Sequence, residues 1–212
     1  VLSLDKFEFN EDKHEYTLNG KKMLSVTEVC SMVNGNKYAI NDSVLRQAAN
    51  RGSYIHELTA MYDNEIEDLE VLPEVEGYFR AWLAFERDYK PEWLYIEKPV
   101  YSERIMVAGT VDRIGVIDDK LVVVDIKTAS TLDRTAQANL MLQLAGYNLL
   151  LNTRGINTFV SESMGVQLKA DGTYKVYPYS EIAGKGKLSY VNAFLHLANI
   201  LTDVKGIEIE DE

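Results

Sequence analysis

The segment from Ile105 to Lys127 constrains the fold of this chain more than any other. Two largely apolar, β-branched runs, at about 105–117 and 120–127, meet at Asp118-Asp119. A two-residue link between such runs predicts a tight antiparallel hairpin, with Ile117 facing Lys120. Counting outward in that register brings Asp112 directly opposite Asp125. Facing side chains on antiparallel strands lie about 5 Å apart at Cβ. Side chains two apart share a face, which sets Lys127 beside Asp125. The spacing therefore predicts two carboxylates and an ammonium together on one face of a sheet.

Two facing carboxylates repel each other and destabilise a sheet. A cation, a shared proton or plain solvent exposure could compensate. Beside a run as apolar as Leu121–Val124 a cation is the most economical of the three, and oxygen ligands of this kind suit Mg²⁺ or Mn²⁺. The competing reading is an exposed hairpin with a wet aspartate pair and Lys127 as local neutralisation, and a one-residue slip of register would break the arrangement.

The surrounding chain alternates between helical and extended patterns without a repeat or a linker. Phe7 and Phe9, then Tyr16 and Leu18, alternate with polar residues around the turn dipeptide Asn19-Gly20 and read as a hairpin. Ser25-Val26-Thr27-Glu28 fits a capping box opening a short helix to about Val33, ended by Asn34-Gly35-Asn36. Asp42-Ser43 can cap a helix to about Tyr62, and a further helix follows Pro73 and stops at Lys90-Pro91. After strands at about 93–101, 105–117 and 120–127 comes a nearly all-apolar helix at about 135–151. Gly155 separates it from strands near 158–168 and 174–179, and a last helix covers about 188–201. This order predicts one α/β domain with a mixed central sheet.

Two helical positions add to the hairpin. Gln143 and Tyr147 are four apart on the helix that follows Lys127, so they share a face, and a glutamine in so apolar a helix needs a partner. A satisfied buried amide would meet that need as well as a functional role does. His56 lies one turn after Gly52, whose presence within a helix costs about 1 kcal/mol relative to alanine. The glycine is consistent with close approach of another group to the backbone.

Taken together, Gly52-x3-His56, Gly109-Thr110-Val111-Asp112, Asp125-Ile126-Lys127 and Gln143-x3-Tyr147 resemble the PD-(D/E)xK nuclease superfamily, in its RecB-like and phage-type exonuclease branch. The resemblance spans about residues 50–150. Glu97, on the strand before the GxxD motif, and the opening His14-Glu15-Tyr16 with Asn19-Gly20 and Ser25-Val26-Thr27 are also similar to members of that branch. It implies a restriction-endonuclease-like α/β core, a mixed central β-sheet flanked by helices, at 41–205. An N-terminal β-hairpin and helical extension would occupy 1–40 and an acidic tail 206–212. It implies Asp112, Asp125 and the Ile126 carbonyl as ligands of Mg²⁺ or Mn²⁺, with His56 and Glu97 as further ligands. Lys127 would orient water or stabilise charge in the transition state. Gln143 and Tyr147 would brace the helix against the site or touch the DNA backbone. Arg104, Arg113, Arg134 and Gly52 are candidate DNA contacts, although solvated surface arginines would look the same. Asp125 stands where many relatives carry glutamate.

Composition limits these implications. One cysteine, Cys30, excludes a cysteine-ligated iron–sulfur cluster, which several relatives carry, and suits a reducing cytoplasm. The opening residues do not read as a signal peptide, and the apolar run from Leu140 to Leu151 is too short for a membrane span. The net charge of −11 weighs against a polyanionic partner. Twelve of the acids, however, fall in 57–79 and 206–212, and outside these stretches 21 acids face 22 bases. Both stretches read as solvated acid. The expected function is a metal-dependent exonuclease acting on DNA with free ends, with a recombination protein as a conceivable partner. A non-catalytic DNA- or protein-binding module of the same fold and a metallohydrolase of a smaller phosphorylated substrate are the alternatives.

Overall fold

The computed structural model describes residues 6–11, 13–33, 42–153 and 160–207. The expected break at Asn34–Asn36, the caps at Asp42 and Ser43, Gly155, the strand start near Thr158 and most of the acidic tail lie outside the described residues or side chains.

The N-terminal extension is a three-stranded antiparallel sheet of β1 (Phe7–Asn10), β2 (Glu15–Leu18) and β3 (Lys21–Lys22). Asn19-Gly20, both left-handed, turns β2 into β3. Phe7 and Phe9 stack on Tyr16, and Phe7 also stacks on Tyr101, fixing this small sheet to the main one. β4 (Leu24–Ser25) leads into α1 (Val26–Ser31). The capping box forms as the sequence predicts: the Glu28 amide donates to Ser25 Oγ, and the Ser25 amide donates to Glu28 Oε2.

The main sheet is mixed and six-stranded. It contains β4, β5 (Glu92–Ser102), β6 (Val107–Ile117), β7 (Lys120–Lys127), β8 (Glu162–Leu168) and β9 (Tyr174–Pro178). β7 runs parallel to β8 and β4 parallel to β6, while the other pairings are antiparallel. Helices cover both faces. Ile55, Leu58, Phe79, Trp82 and Phe85, from α2 (Asp42–Asp63) and α3 (Glu76–Tyr89), pack with Val122, Val124 and Ile126 on one face. On the other, Leu140, Leu144, Tyr147 and Phe194, from α4 (Arg134–Thr153) and α6 (Lys187–Lys205), pack with Val107, Val111 and Val123. The short α5 (Tyr179–Ile182) lies ahead of α6.

The β6–β7 hairpin turns as its sequence predicts. Asp118 and Asp119 are both left-handed, and Ile117 pairs with Lys120. Pairing continues to Arg113 opposite Val124 and stops there, one step short of Asp112 and Asp125. The cause is a fork. β5 holds one edge of β6 along its length, so β4 and β7 must share the other: β4 pairs at Val107–Ala108 and β7 at Arg113–Ile117. β6 also changes phase here, since Val107 and Val111 face α4 while Ile117 faces α2 and α3. Asp112 stands at the crotch of the fork.

Candidate active site

Three strands bring acids to one level of the sheet. The β5–β6 register, with Ile96 opposite Arg113 and Lys98 opposite Val111, places Glu97 across from Asp112. The β6–β7 register places Asp112 across from Asp125 at the point where the strands part. Asp112 does not simply face Asp125 as part of a flat ladder. Its Oδ2 accepts a hydrogen bond from the Ile126 amide at 2.6 Å, so the carboxylate takes the place of the missing strand bond. Glu97 is left-handed, with φ of 48° within a strand, a conformation rare for a non-glycine residue.

α2 supplies His56 above this row. Its Nδ1 lies 3.5 Å from Asp112 Oδ1 and 3.7 Å from Glu97 Oε1. Its Nε2 lies 3.2 Å from the Ile126 carbonyl. A carbonyl only accepts, so Nε2 carries a proton and Nδ1 is the nitrogen turned toward the carboxylates. His56, Glu97 and Asp112 each offer a ligand atom within 4.8 Å of the others.

Lys127 and α4 close the other side. Lys127 Nζ lies 2.6 Å from Asp125 Oδ2 and donates to Gln143 Oε1 at 3.0 Å, and Gln143 Nε2 donates to the Tyr147 hydroxyl at 3.0 Å. Gln143 and Tyr147 thus form a rail along which the lysine is held. Gly109 makes room for it, since a Cβ there would meet Tyr147 Cε1 at 2.9 Å.

Burial and excess negative charge shape the titration of these groups. Burial opposes the His56 imidazolium, but Asp112 and Glu97 push its pKa up to about 10. Burial alone would raise Asp112; His56, Lys127 and the Ile126 amide hold it below the usual carboxylate range. Burial, with the Asp112 charge, lifts Asp125 to about 6 against the pull of Lys127. Lys127 is raised by Asp125 and Asp112 in spite of its burial. The Tyr147 hydroxyl is pushed well up by burial and by the two aspartates, so it remains a neutral phenol.

This donor set fits a hard divalent cation. It combines carboxylate oxygens with one imidazole nitrogen, and the buried Asp125 Oδ2 has an ammonium nearby but no well-directed hydrogen bond. Replacement of the His56 proton by an ion would relieve the same repulsion that raises its pKa.

The other expected positions fall differently. Arg104 and Arg134 are exposed, in the β5–β6 turn and at the start of α4. Gly52 lies over Thr128, and a Cβ there would meet only Thr128 Oγ1, at 3.5 Å, so no protein group demands a glycine. Arg113 is not a surface contact for DNA. Its side chain is fully buried and donates to Asp63, to Glu97 Oε1 at 3.1 Å, to the Asp112 carbonyl at 2.7 Å and to Thr59 Oγ1 at 3.0 Å. Asp63 is likewise not part of a solvated acidic loop: its side chain is buried, and it also accepts from Trp82 Nε1 at 2.9 Å. The clue in the sequence was an arginine inside an apolar strand, which needs a buried counter-charge.

No described helix is long and apolar enough to cross a membrane. No curated protein matches the chain. Among solved structures, SSO0001 is similar at 13% identity, over 84% of this chain and 76% of its own, with a TM-score of 0.43. An alkaline exonuclease (LHK-Exo) from Laribacter hongkongensis is similar at 12% identity, over 87% of this chain and 91% of its own, with a TM-score of 0.39. The same enzyme in complex with dAMP gives 15% identity, 87% and 93% coverage and a TM-score of 0.32. The family model of the PD-(D/E)XK nuclease superfamily matches residues 34–175, which take in the α2 histidine, all three strands and the glutamine–tyrosine rail of the site, and the chain belongs to that superfamily.

Proposed function

We propose that this chain is a DNA exonuclease that depends on Mg²⁺ or Mn²⁺ and serves phage-type recombination or DNA processing in the cytoplasm. The observation that carries the metal-dependent reading is the convergence of His56 Nδ1, Glu97 and Asp112 within 4.8 Å, beside the Asp125–Lys127 ion pair. Preference for ends follows from the motif resemblance to RecB-like and phage-type exonucleases.

In this reading Asp112, Glu97 and His56 would hold the ion, with Asp125 as a further donor; the Ile126 carbonyl, expected as a ligand, instead accepts the His56 Nε2–H bond. A divalent cation there supplies Lewis acidity toward the phosphodiester and toward water. The chain's own groups do the rest. The Ile126 carbonyl fixes the His56 tautomer through Nε2–H, leaving Nδ1 free to ligate. Lys127, charged and held between Asp125 and Gln143, positions a water or stabilises charge on the phosphoryl oxygens. Gln143 and Tyr147 keep that ammonium in place.

Linear duplex, circular duplex and single-stranded DNA, each incubated with Mg²⁺, Mn²⁺ or EDTA, test the proposal. Loss of only the DNAs with ends, abolished by EDTA and lowered at least 10³-fold in Asp125→Ala and Lys127→Ala, is expected. Cutting of circles would replace exonuclease with endonuclease action. Full activity in the double variant would remove the site assignment, and no DNA hydrolysis by the wild type under any condition would leave a non-catalytic module or a metallohydrolase of a smaller phosphorylated substrate.

A further inference from the structure

The three side chains offered to the cation come from three elements: His56 from α2, Glu97 from β5 and Asp112 from β6. One guanidinium touches all three segments. Arg113 donates to the Glu97 carboxylate at 3.1 Å and to the Asp112 carbonyl at 2.7 Å. It donates to Thr59 Oγ1 at 3.0 Å, and the Thr59 hydroxyl in turn donates to the His56 carbonyl at 3.0 Å. Asp63, one turn further along α2, supplies the counter-charge, and the Trp82 ring lies 5.4 Å from the guanidinium carbon. The arginine is fully buried, so neither substrate nor solvent competes for these bonds.

We propose that Arg113, with Asp63 and Thr59 behind it, is the positioning group of the cation site, setting the reach and orientation of Glu97, Asp112 and His56. This rests on the metal-dependent reading above. A carboxylate on a left-handed strand residue has no ladder to orient it, and the Arg113 bond fixes Glu97 Oε1, the atom it turns toward His56 Nδ1. The Asp112 carbonyl bond pins the backbone where β6 changes phase. The Thr59 bond holds α2 at the distance His56 requires. A planar fork makes these bonds together, whereas the ammonium of lysine is a single point charge.

The test uses the full chain and Mn²⁺ alone as the probe. Binding is followed by the electron spin resonance of free Mn²⁺, with thermal unfolding measured on the same samples. In Arg113→Lys, which keeps the charge and loses the fork, the Mn²⁺ dissociation constant is expected to rise about 10- to 100-fold. The Mn²⁺ concentration for half-maximal DNA hydrolysis should rise with it. KM for DNA at saturating Mn²⁺ should stay within about twofold of wild type, because the arginine does not reach the substrate. Thr59→Val, a smaller change, is expected to weaken Mn²⁺ binding several-fold and carries the test if Arg113→Lys does not fold. A folded variant with a lower unfolding temperature but wild-type Mn²⁺ affinity would show Arg113 to be merely structural. A loss confined to KM for DNA would return it to substrate contact. Either result overturns the proposal and leaves the metal-dependent reading intact, whereas failure of the wild type to bind Mn²⁺ overturns both.

Discussion

At the scale of single residues, the two glycines of the site motifs do opposite work. Gly109 lies under the Tyr147 ring and beside Val26, and a Cβ there would stand 2.9 Å from Tyr147 Cε1 and 3.0 Å from Val26 Cγ2. Neither neighbour can swing away, since both are buried. Gly109→Ala is therefore expected to destabilise the fold by about 1–3 kcal/mol, read as a lower midpoint in urea unfolding. It should also lower activity by displacing Tyr147, and with it Gln143 and Lys127. Gly52 has no such neighbour. Gly52→Ala should leave the midpoint unchanged or raise it by up to about 1 kcal/mol, since alanine is the better helix former. If the glycine admits a DNA phosphate, the same variant shows a raised KM for DNA; an unchanged KM would strip Gly52 of that role. The sequence made Asp112, Asp125, Lys127 and Gln143 legible, because hairpin register and helix spacing are local rules. Arg113 and Asp63 were misread because a charged residue advertises only its charge. Whether it is wet or buried depends on partners 50 residues away.

At the scale of elements, most helices and strands were readable from period and turn chemistry, including the β6–β7 turn at Asp118-Asp119. The fork was not. It depends on the two-residue β4, which has no periodicity of its own and is extended because it pairs with β6. The contact of α2 with α3 was equally invisible and holds a second, half-buried acid. Glu86 of α3 accepts from Trp93 Nε1 at 2.6 Å and faces Asp63 of α2. Burial first, and the Asp63 charge second, lift Glu86 to about 7 from its ordinary 4.5. The folded state therefore holds a proton that the unfolded chain releases. The stability tied to that proton is complete below about pH 4.5 and is lost as pH rises through about 7. Glu86→Gln keeps the shape without the titration. Its unfolding midpoint relative to wild type should rise by the equivalent of about 1–2 kcal/mol between pH 5 and pH 8. A constant difference across that range would mean that Glu86 is not protonated in the fold.

At the scale of the whole molecule, the difficulty is a chain of net charge −11 acting on a polyanion. Much of the acid in 57–79 is solvated on the α2–α3 connection, where Glu65, Glu67, Asp68 and Glu74 are exposed; Asp63, within the same run, is spent on Arg113. At the site His56, Lys127 and Arg113, the last shared with Asp63, offset all but one of the acids, and a bound cation would offset the remainder. Of the candidate DNA contacts, the arginines Arg104 and Arg134 are the ones left exposed. Arg134 opens α4 shortly after Lys127, on a loop tied down by the Gln167 Nε2 bond to the Ala129 carbonyl. Arg104 sits in the β5–β6 turn, and the Val107–Asp112 stretch that leads to the site spans roughly 17 Å at the usual strand rise, within reach of a bound duplex. Each phosphate contact contributes about 0.9 to the slope of log affinity against log salt. Binding of duplex DNA by the Asp125→Ala variant, measured from about 50 to 200 mM salt, should show a slope smaller by about 0.9 on adding Arg134→Ala. Adding Arg104→Ala as well should bring the reduction to about 1.8. A slope unmoved by both changes would mean that the DNA is held by other groups and that these arginines are ordinary solvated surface.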